Sequence, residues 1–188
     1  MIKSWKKRNA EIIIKLKIIK FDAIEEYIES IKIKPGNHSN RGEKEQMETI
    51  IYKIEETEES VWLKEAGKVL ANGGLVGIPT ETVYGLAANA LDEKAAAKIY
   101  EAKGRPSDNP LIIHIAGMEM IHELVSELPE AALKLADKFW PGPLTMILPK
   151  SDKVPYGTTG GLDTVAVRMP SHPTAWKLLT VVLSRMDF

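Results

Sequence analysis

The sequence contains no cysteine. That excludes a disulfide scaffold, a thiol nucleophile, a zinc ribbon and an iron–sulfur site. Nor does it contain an apolar run long enough to read as a membrane span, which takes about 18 residues or more. Residues 1–20 have a charged head, but Lys15 and Lys17 interrupt the apolar stretch, which makes a poor signal peptide. A reducing cytoplasm is the expected compartment, with no membrane partner. Histidine is scarce, four in all, and no H-E-x-x-H pattern occurs. A histidine-rich metal site is not expected and no metal ligand is assigned; any metal comes through His, Asp, Glu or a bound nucleotide. A strong charge bias is also lacking: 25 Lys+Arg stand against 26 Asp+Glu. This excludes a wholly basic nucleic-acid coat and an acidic disordered tail.

What is present is an ordinary globular composition, 44% apolar and 27% charged over 188 residues. At roughly 150 residues per domain this is one domain with room for an appendage. Residues 1–46 carry 11 Lys+Arg and 7 Asp+Glu, whereas 47–188 carry 14 and 19 and nearly all the Gly and Pro. The first segment alternates at Ile14, Leu16 and Ile18, as a strand does, then follows helical spacing at Phe21, Ile24, Ile28 and Ile31. Residues 34–46 read as an exposed linker. Met47 resembles a fresh start, and residues 41–45 can be encoded by a purine-rich tract. Residues 1–46 therefore read as an N-terminal extension or an upstream artefact.

From Met47 strands and helices alternate. Ile50, Tyr52 and Ile54 suggest a strand. Ser60 can cap a helix running to Asn72, with Val61, Leu63, Val69 and Leu70 apolar, and Gly73-Gly74 stops it. Strands are expected over 75–78, 111–115, 144–148 and 164–169. Further helices are expected over 93–103, capped by Asp92, then over 118–127 and 129–140, and from Ser171. Alternation of this kind argues for an α/β fold with a mixed sheet.

Loops that follow strands bind ligands in such folds. Pro79-Thr80-Glu81-Thr82-Val83-Tyr84-Gly85-Leu86 offers two hydroxyls and a carboxylate at a strand end; a plain turn before a helix is the bland alternative. Lys103-Gly104-Arg105-Pro106 sets two cations two residues apart, suited to a polyphosphate. Equally, both could merely complement the helix C-terminus. The P-loop spacing is absent. His114 interrupts an apolar strand, the usual place of a satisfied core histidine, but it follows the cationic loop directly. The remaining histidines read as surface or capping residues. Trp140-Pro141-Gly142-Pro143 reads as a rigid structural turn, and residues 151–161 as a mobile loop over the site. Arg168, near a strand end, could grip a carboxylate or form a surface ion pair.

Taken in order, these blocks resemble the YrdC-like family of threonylcarbamoyl-AMP synthases. They are Gly73-Gly74-Leu75-Val76 with Pro79-Thr80-Glu81-Thr82-Val83-Tyr84-Gly85-Leu86, Lys103-Gly104-Arg105-Pro106, Asn109-Pro110-Leu111 with His114, Trp140-Pro141-Gly142-Pro143 with Thr145, and Val167-Arg168-Met169-Pro170 with His172-Pro173. The resemblance implies a twisted α/β sheet with flanking helices and a basic concave face. It implies an enzyme, a nucleotidyltransferase that joins L-threonine, bicarbonate and ATP into threonylcarbamoyl-adenylate and releases pyrophosphate. A partner complex then transfers the group to tRNA. It further implies that Thr82, His114 and Arg168 contact threonine and that Lys103, Arg105, Asn109 and Thr164 contact ATP. Lys103 and Arg105 carry the catalytic charge, and Mg²⁺ arrives with ATP.

One departure stands out. The family's Ser-x-Asn motif does not occur after Arg168. The expectation is a domain over 47–188 that is incomplete at its C-terminus, lacks its last strands, and has weak activity and reduced stability. The alternatives are a non-catalytic nucleotide- or RNA-binding module and an inactive fragment.

Overall fold

The computed structural model describes residues 11–15, 50–53, 58–81, 84–104 and 106–183. Helix α1, Glu59–Ala71, buries Trp62, Leu63, Ala66 and Leu70 at helical spacing, while Val61 is exposed. Ser60, expected as its cap, lies inside the first turn instead, and its Oγ donates to Glu58 Oε1 at 2.6 Å. The stop behaves as expected. Gly73 takes φ +70°, its N–H donates to Leu70 O, and the Gly74 N–H reaches Val69 O. A residue with a Cβ would be strained at that left-handed position.

Strand β3, Leu75–Ile78, leaves this turn. It belongs to an antiparallel sheet ordered β2-β1-β3-β4. Strand β1, Glu11–Lys15, lies between β2, Ile50–Lys53, and β3, with Ile14 paired to Ile50 on one side and Val76 on the other. The expected alternation lay a few residues further on. Residues 16–49, with the helix expected over 21–31, lie outside the described residues. Strand β4, Gly85–Ala87, was unexpected; three residues are too few to show alternation inside a polar loop.

Helix α2, Glu93–Lys103, starts as expected, with Asp92 Oδ1 accepting from the Lys94 N–H at 2.9 Å and the Ala95 N–H at 3.3 Å. A second sheet follows, ordered β5-β7-β6: β5 is Ile112–His114, β6 Thr145–Pro149 and β7 Thr164–Arg168. Here β5 and β7 run parallel and β6 and β7 antiparallel, which supplies the mixed sheet. The described strands thus divide into two sheets, one mixed and one wholly antiparallel.

The helix expected over 118–127 is cut to a 3₁₀ turn, Met118–Met120, and a single α-turn, α3, Ile121–Leu124. The reason is competition for its carbonyls. Ser151 takes Glu123 O and Leu124 O through its hydroxyl and N–H, and Val125 turns extended to bridge Lys150. Helix α4, Glu130–Phe139, ends in the Trp140–Pro143 turn, where Trp140 Nε1 donates to Leu144 O at 2.7 Å. The 151–161 segment is not a loose loop. It holds helix α5, Tyr156–Thr159, and it buries Val154, Thr158 and Thr159. Thr158 Oγ1 donates to Ala90 O at 2.7 Å and Thr159 Oγ1 to Leu162 O at 2.7 Å, so both hydroxyls are satisfied inside. Helix α6, Pro173–Leu183, lies along α1.

Two apolar clusters result. One joins α1, β3 and α6 through Trp62, Leu70, Ile78 and Leu178. The other lies under the mixed sheet, where Ile113, Met146, Val165 and Val167 pack on Ile121, Ala136 and Trp140. Among the described residues no helix is long and apolar enough to cross a membrane.

Candidate functional site

Side chains alternate across a strand. On β7, Val165 and Val167 are buried on the core side, so Thr164, Ala166 and Arg168 share the other face. Register then sets the neighbours. His114 at the end of β5 pairs with Arg168 at the end of β7, and Thr145 of β6 pairs with Arg168 from the other side. Two of the residues singled out in the sequence therefore stand side by side. Thr164 shares the face but sits four residues away, roughly 13 Å along the strand, opposite Pro149. Ile112 and Ile147, 45% and 70% exposed, give the face between them an apolar floor.

Arg168 is neither a surface ion pair nor a free cation. Its Nε donates to Gly142 O at 3.2 Å, and its Nη2 lies 2.8 Å from Glu81 Oε2, at an angle too bent for a straight hydrogen bond. Only 11% of the Arg168 side chain and 19% of the Glu81 side chain is exposed. Nη1 makes no hydrogen bond to the described residues. The rigid Trp-Pro-Gly-Pro turn thus has a second effect, presenting the Gly142 carbonyl to the arginine.

Glu81, in the loop after β3, accepts from the Ser171 N–H at 2.7 Å and the Ser171 hydroxyl at 3.1 Å. Burial pushes its carboxyl up. The Ser171 N–H, its own N–H and the Arg168 guanidinium outweigh that, and the group titrates at about 2 instead of 4.5. The sequence offers this carboxylate, at a strand end, to a small polar ligand; the structure engages it with Ser171 and Arg168. Its partner lies in a distant segment, and nothing local to either residue announces the pairing.

His114 Nδ1 lies 3.2 Å from Ile112 O. A carbonyl only accepts, so Nδ1 carries the proton and Nε2 presents a lone pair. That Nε2 is buried and has no partner among the described residues. Burial holds the imidazole pKa below 6.5; the Ile112 carbonyl opposes this, and the Arg168 charge lowers it further. The ring is neutral at pH 7. His172, read as a capping residue, accepts the Thr174 N–H on Nδ1 at 3.3 Å at the start of α6, and burial lowers its pKa too.

A cavity of about 650 Å³ opens beside this row. It is walled by Ile78, Leu86, Ile99, Leu124 and Leu178, and Lys103, Asn109 and His114 reach it. Lys103 ends α2, whose chain reverses at Gly104 with φ +59°. Thr164 and Arg168 do not line the cavity. Thr82 and Arg105 lie outside the described residues. Among the described residues no group of three or more His, Asp or Glu side chains could hold a metal ion.

Comparison with known proteins follows the same lines. A family model for Sua5, YciO and YrdC proteins, described as "Telomere recombination", matches residues 68–184. The threonylcarbamoyl-AMP synthase of Pyrococcus abyssi is 59% identical over 131 residues, covering 70% of this chain and 38% of that protein. The threonylcarbamoyl-AMP synthase of Bacillus subtilis is 52% identical over 118 residues, covering 62% of this chain and 34% of its own length. This chain therefore spans less than two-fifths of those relatives. The crystal structure of P. abyssi Sua5 complexed with L-threonine superposes with a TM-score of 0.66 at 58% identity, over 68% of this chain and 38% of that one. E. coli YciO matches with a TM-score of 0.60 at 22% identity, over 67% and 61% of the two chains, and speaks to the fold alone. With the matched region running from the last turn of α1 through α6, well over half of the chain, the chain belongs to the Sua5/YciO/YrdC family.

Proposed function

We propose that this chain carries out threonylcarbamoyl-AMP synthesis, condensing L-threonine, bicarbonate and ATP into threonylcarbamoyl-adenylate and pyrophosphate. The observation that carries this reading is the pairing of His114 with Arg168 across β5 and β7. A neutral lone-pair acceptor and a held cation there suit an amino acid's hydroxyl or amine and its carboxylate. Thr82, beside Glu81 in sequence, is the third threonine contact in this reading. Thr164, on the same face about 13 Å away by strand rise, and Asn109 take the nucleotide end.

The chemistry asks for positioning more than for a base. The threonine amine and bicarbonate form a carbamate with loss of water. A carbamate oxygen then attacks the α-phosphorus, the bond to the β-phosphate oxygen breaks, and pyrophosphate leaves. Holding the weak carbamate nucleophile in line converts an encounter into an intramolecular step. Lys103 and Arg105 offset the charge that builds on the departing pyrophosphate. The absence of a carboxylate cage among the described residues fits a Mg²⁺ that enters on the triphosphate, mostly water- and phosphate-bound. Its contribution would be charge neutralisation. Transfer of the product to tRNA by a partner complex is part of the same proposal.

The test is pyrophosphate release from ATP by the purified chain. Release that needs both L-threonine and bicarbonate, and that is lost in Arg105→Ala, is expected. A folded chain that releases none, and binds neither threonine nor ATP, would overturn the reading.

A further inference from the structure

We propose that Glu81 is a positioning residue for Arg168: it fixes the guanidinium from the far loop so that Nη1 is left to receive the substrate's carboxylate. This rests on the threonine site proposed above. An arginine side chain carries much rotamer entropy, and a ligand that must order it binds correspondingly more weakly. Here the ordering is done in advance. Gly142 O takes Nε and the Glu81 carboxylate takes Nη2. With the first contact alone, the guanidinium could swing about Nε.

The geometry also explains why the second anchor is an acid. Glu81 divides its two oxygens between tasks. Oε1 accepts the Ser171 N–H and hydroxyl, which fixes the carboxylate to the segment after β7, and Oε2 is left for Arg168. A buried ion pair is a weak stabiliser compared with packed apolar side chains. What it does supply is orientation. The pair is also close to neutral overall, so this end of the face favours a zwitterionic amino acid over a phosphate. That keeps the polyphosphate at the Lys103 and Arg105 end.

Two readouts test this with the chain as it stands: calorimetric titration with L-threonine and with AMP, and the NMR signal of the Arg168 Nε–H, identified by its loss in Arg168→Lys. Glu81→Gln is expected to weaken L-threonine about tenfold, part of the ordering cost of an arginine that is no longer held in advance, and to leave AMP affinity unchanged. The Arg168 signal should broaden. Glu81→Asp should fall between the two; if the glutamine variant does not fold, the aspartate variant carries both readouts. An unchanged Arg168 signal overturns the proposal, as does equal loss of threonine and AMP binding. If the unsubstituted chain takes up no threonine, the threonine reading itself fails. The Arg168 signal alone then decides whether Glu81 positions it.

Discussion

Glu81 should make the protein acid-sensitive in a defined window. Its carboxyl titrates at about 2 in the folded protein against 4.5 when unperturbed. A depressed carboxyl contributes stability that is fully present above the unfolded value and is lost as pH falls through the folded one. The depression corresponds to about 3 kcal/mol at neutral pH, of which about 2 is gone by pH 3. The side chain is only 19% exposed, so solvent screening removes a modest part of this. Glu81→Gln cannot titrate. It should melt about 5–10 °C below the parent at pH 7, and the two melting curves should converge as pH drops from 4.5 towards 2. Thermal melts of both proteins at half-unit steps of pH measure this directly. A gap of the same size at pH 7 and pH 3 would mean that Glu81 titrates normally, and the ion pair described here would be absent in solution.

Two further expectations concern the scaffold that holds the face. Trp62→Ala should cost about 3–5 kcal/mol in a denaturant titration, because Trp62 is 1% exposed in the cluster between α1 and α6. Trp62→Phe should cost well under half of that, since its indole Nε1 is buried with no partner among the described residues; equal costs for the two would refute this. Thr158→Val should cost about 1–3 kcal/mol by orphaning the half-buried Ala90 carbonyl, since Thr158 Oγ1 donates to it at 2.7 Å. A neutral result would show that the 151–161 segment is not pinned in the way described.

Much of the fold was legible because its signals are local. Asp92 captures N–H groups two and three residues on, and Gly73 reverses a helix with its own backbone, so both could be read from a few adjacent letters. The errors arose where a distant partner won. The helix expected over 118–127 was shortened because Ser151 and Lys150 claim its end. The supposed loop at 151–161 is packed because Ala90 and Leu162 accept its hydroxyls. Val61, named among the apolar positions of the helix, is exposed while Trp62 is buried, because the helix is rotated onto α6 and β3, which the sequence of α1 alone does not specify. Strand β4 was too short for any periodicity to register.

The candidate site divides in the same way. From the sequence alone came the α/β alternation, the ordered family blocks and the residue types at the strand ends, because backbone propensity and motif spacing act over neighbouring residues. Only the tertiary structure decided that His114 and Arg168 are neighbours, since register depends on how two strands separated by some fifty residues slide against each other. It also decided that Arg168 is a largely enclosed, held cation whose partner is Glu81, and that His114 is neutral with one lone pair inward. Charge state and orientation depend on burial and on the field of whatever folds alongside, and no stretch of sequence carries that information by itself.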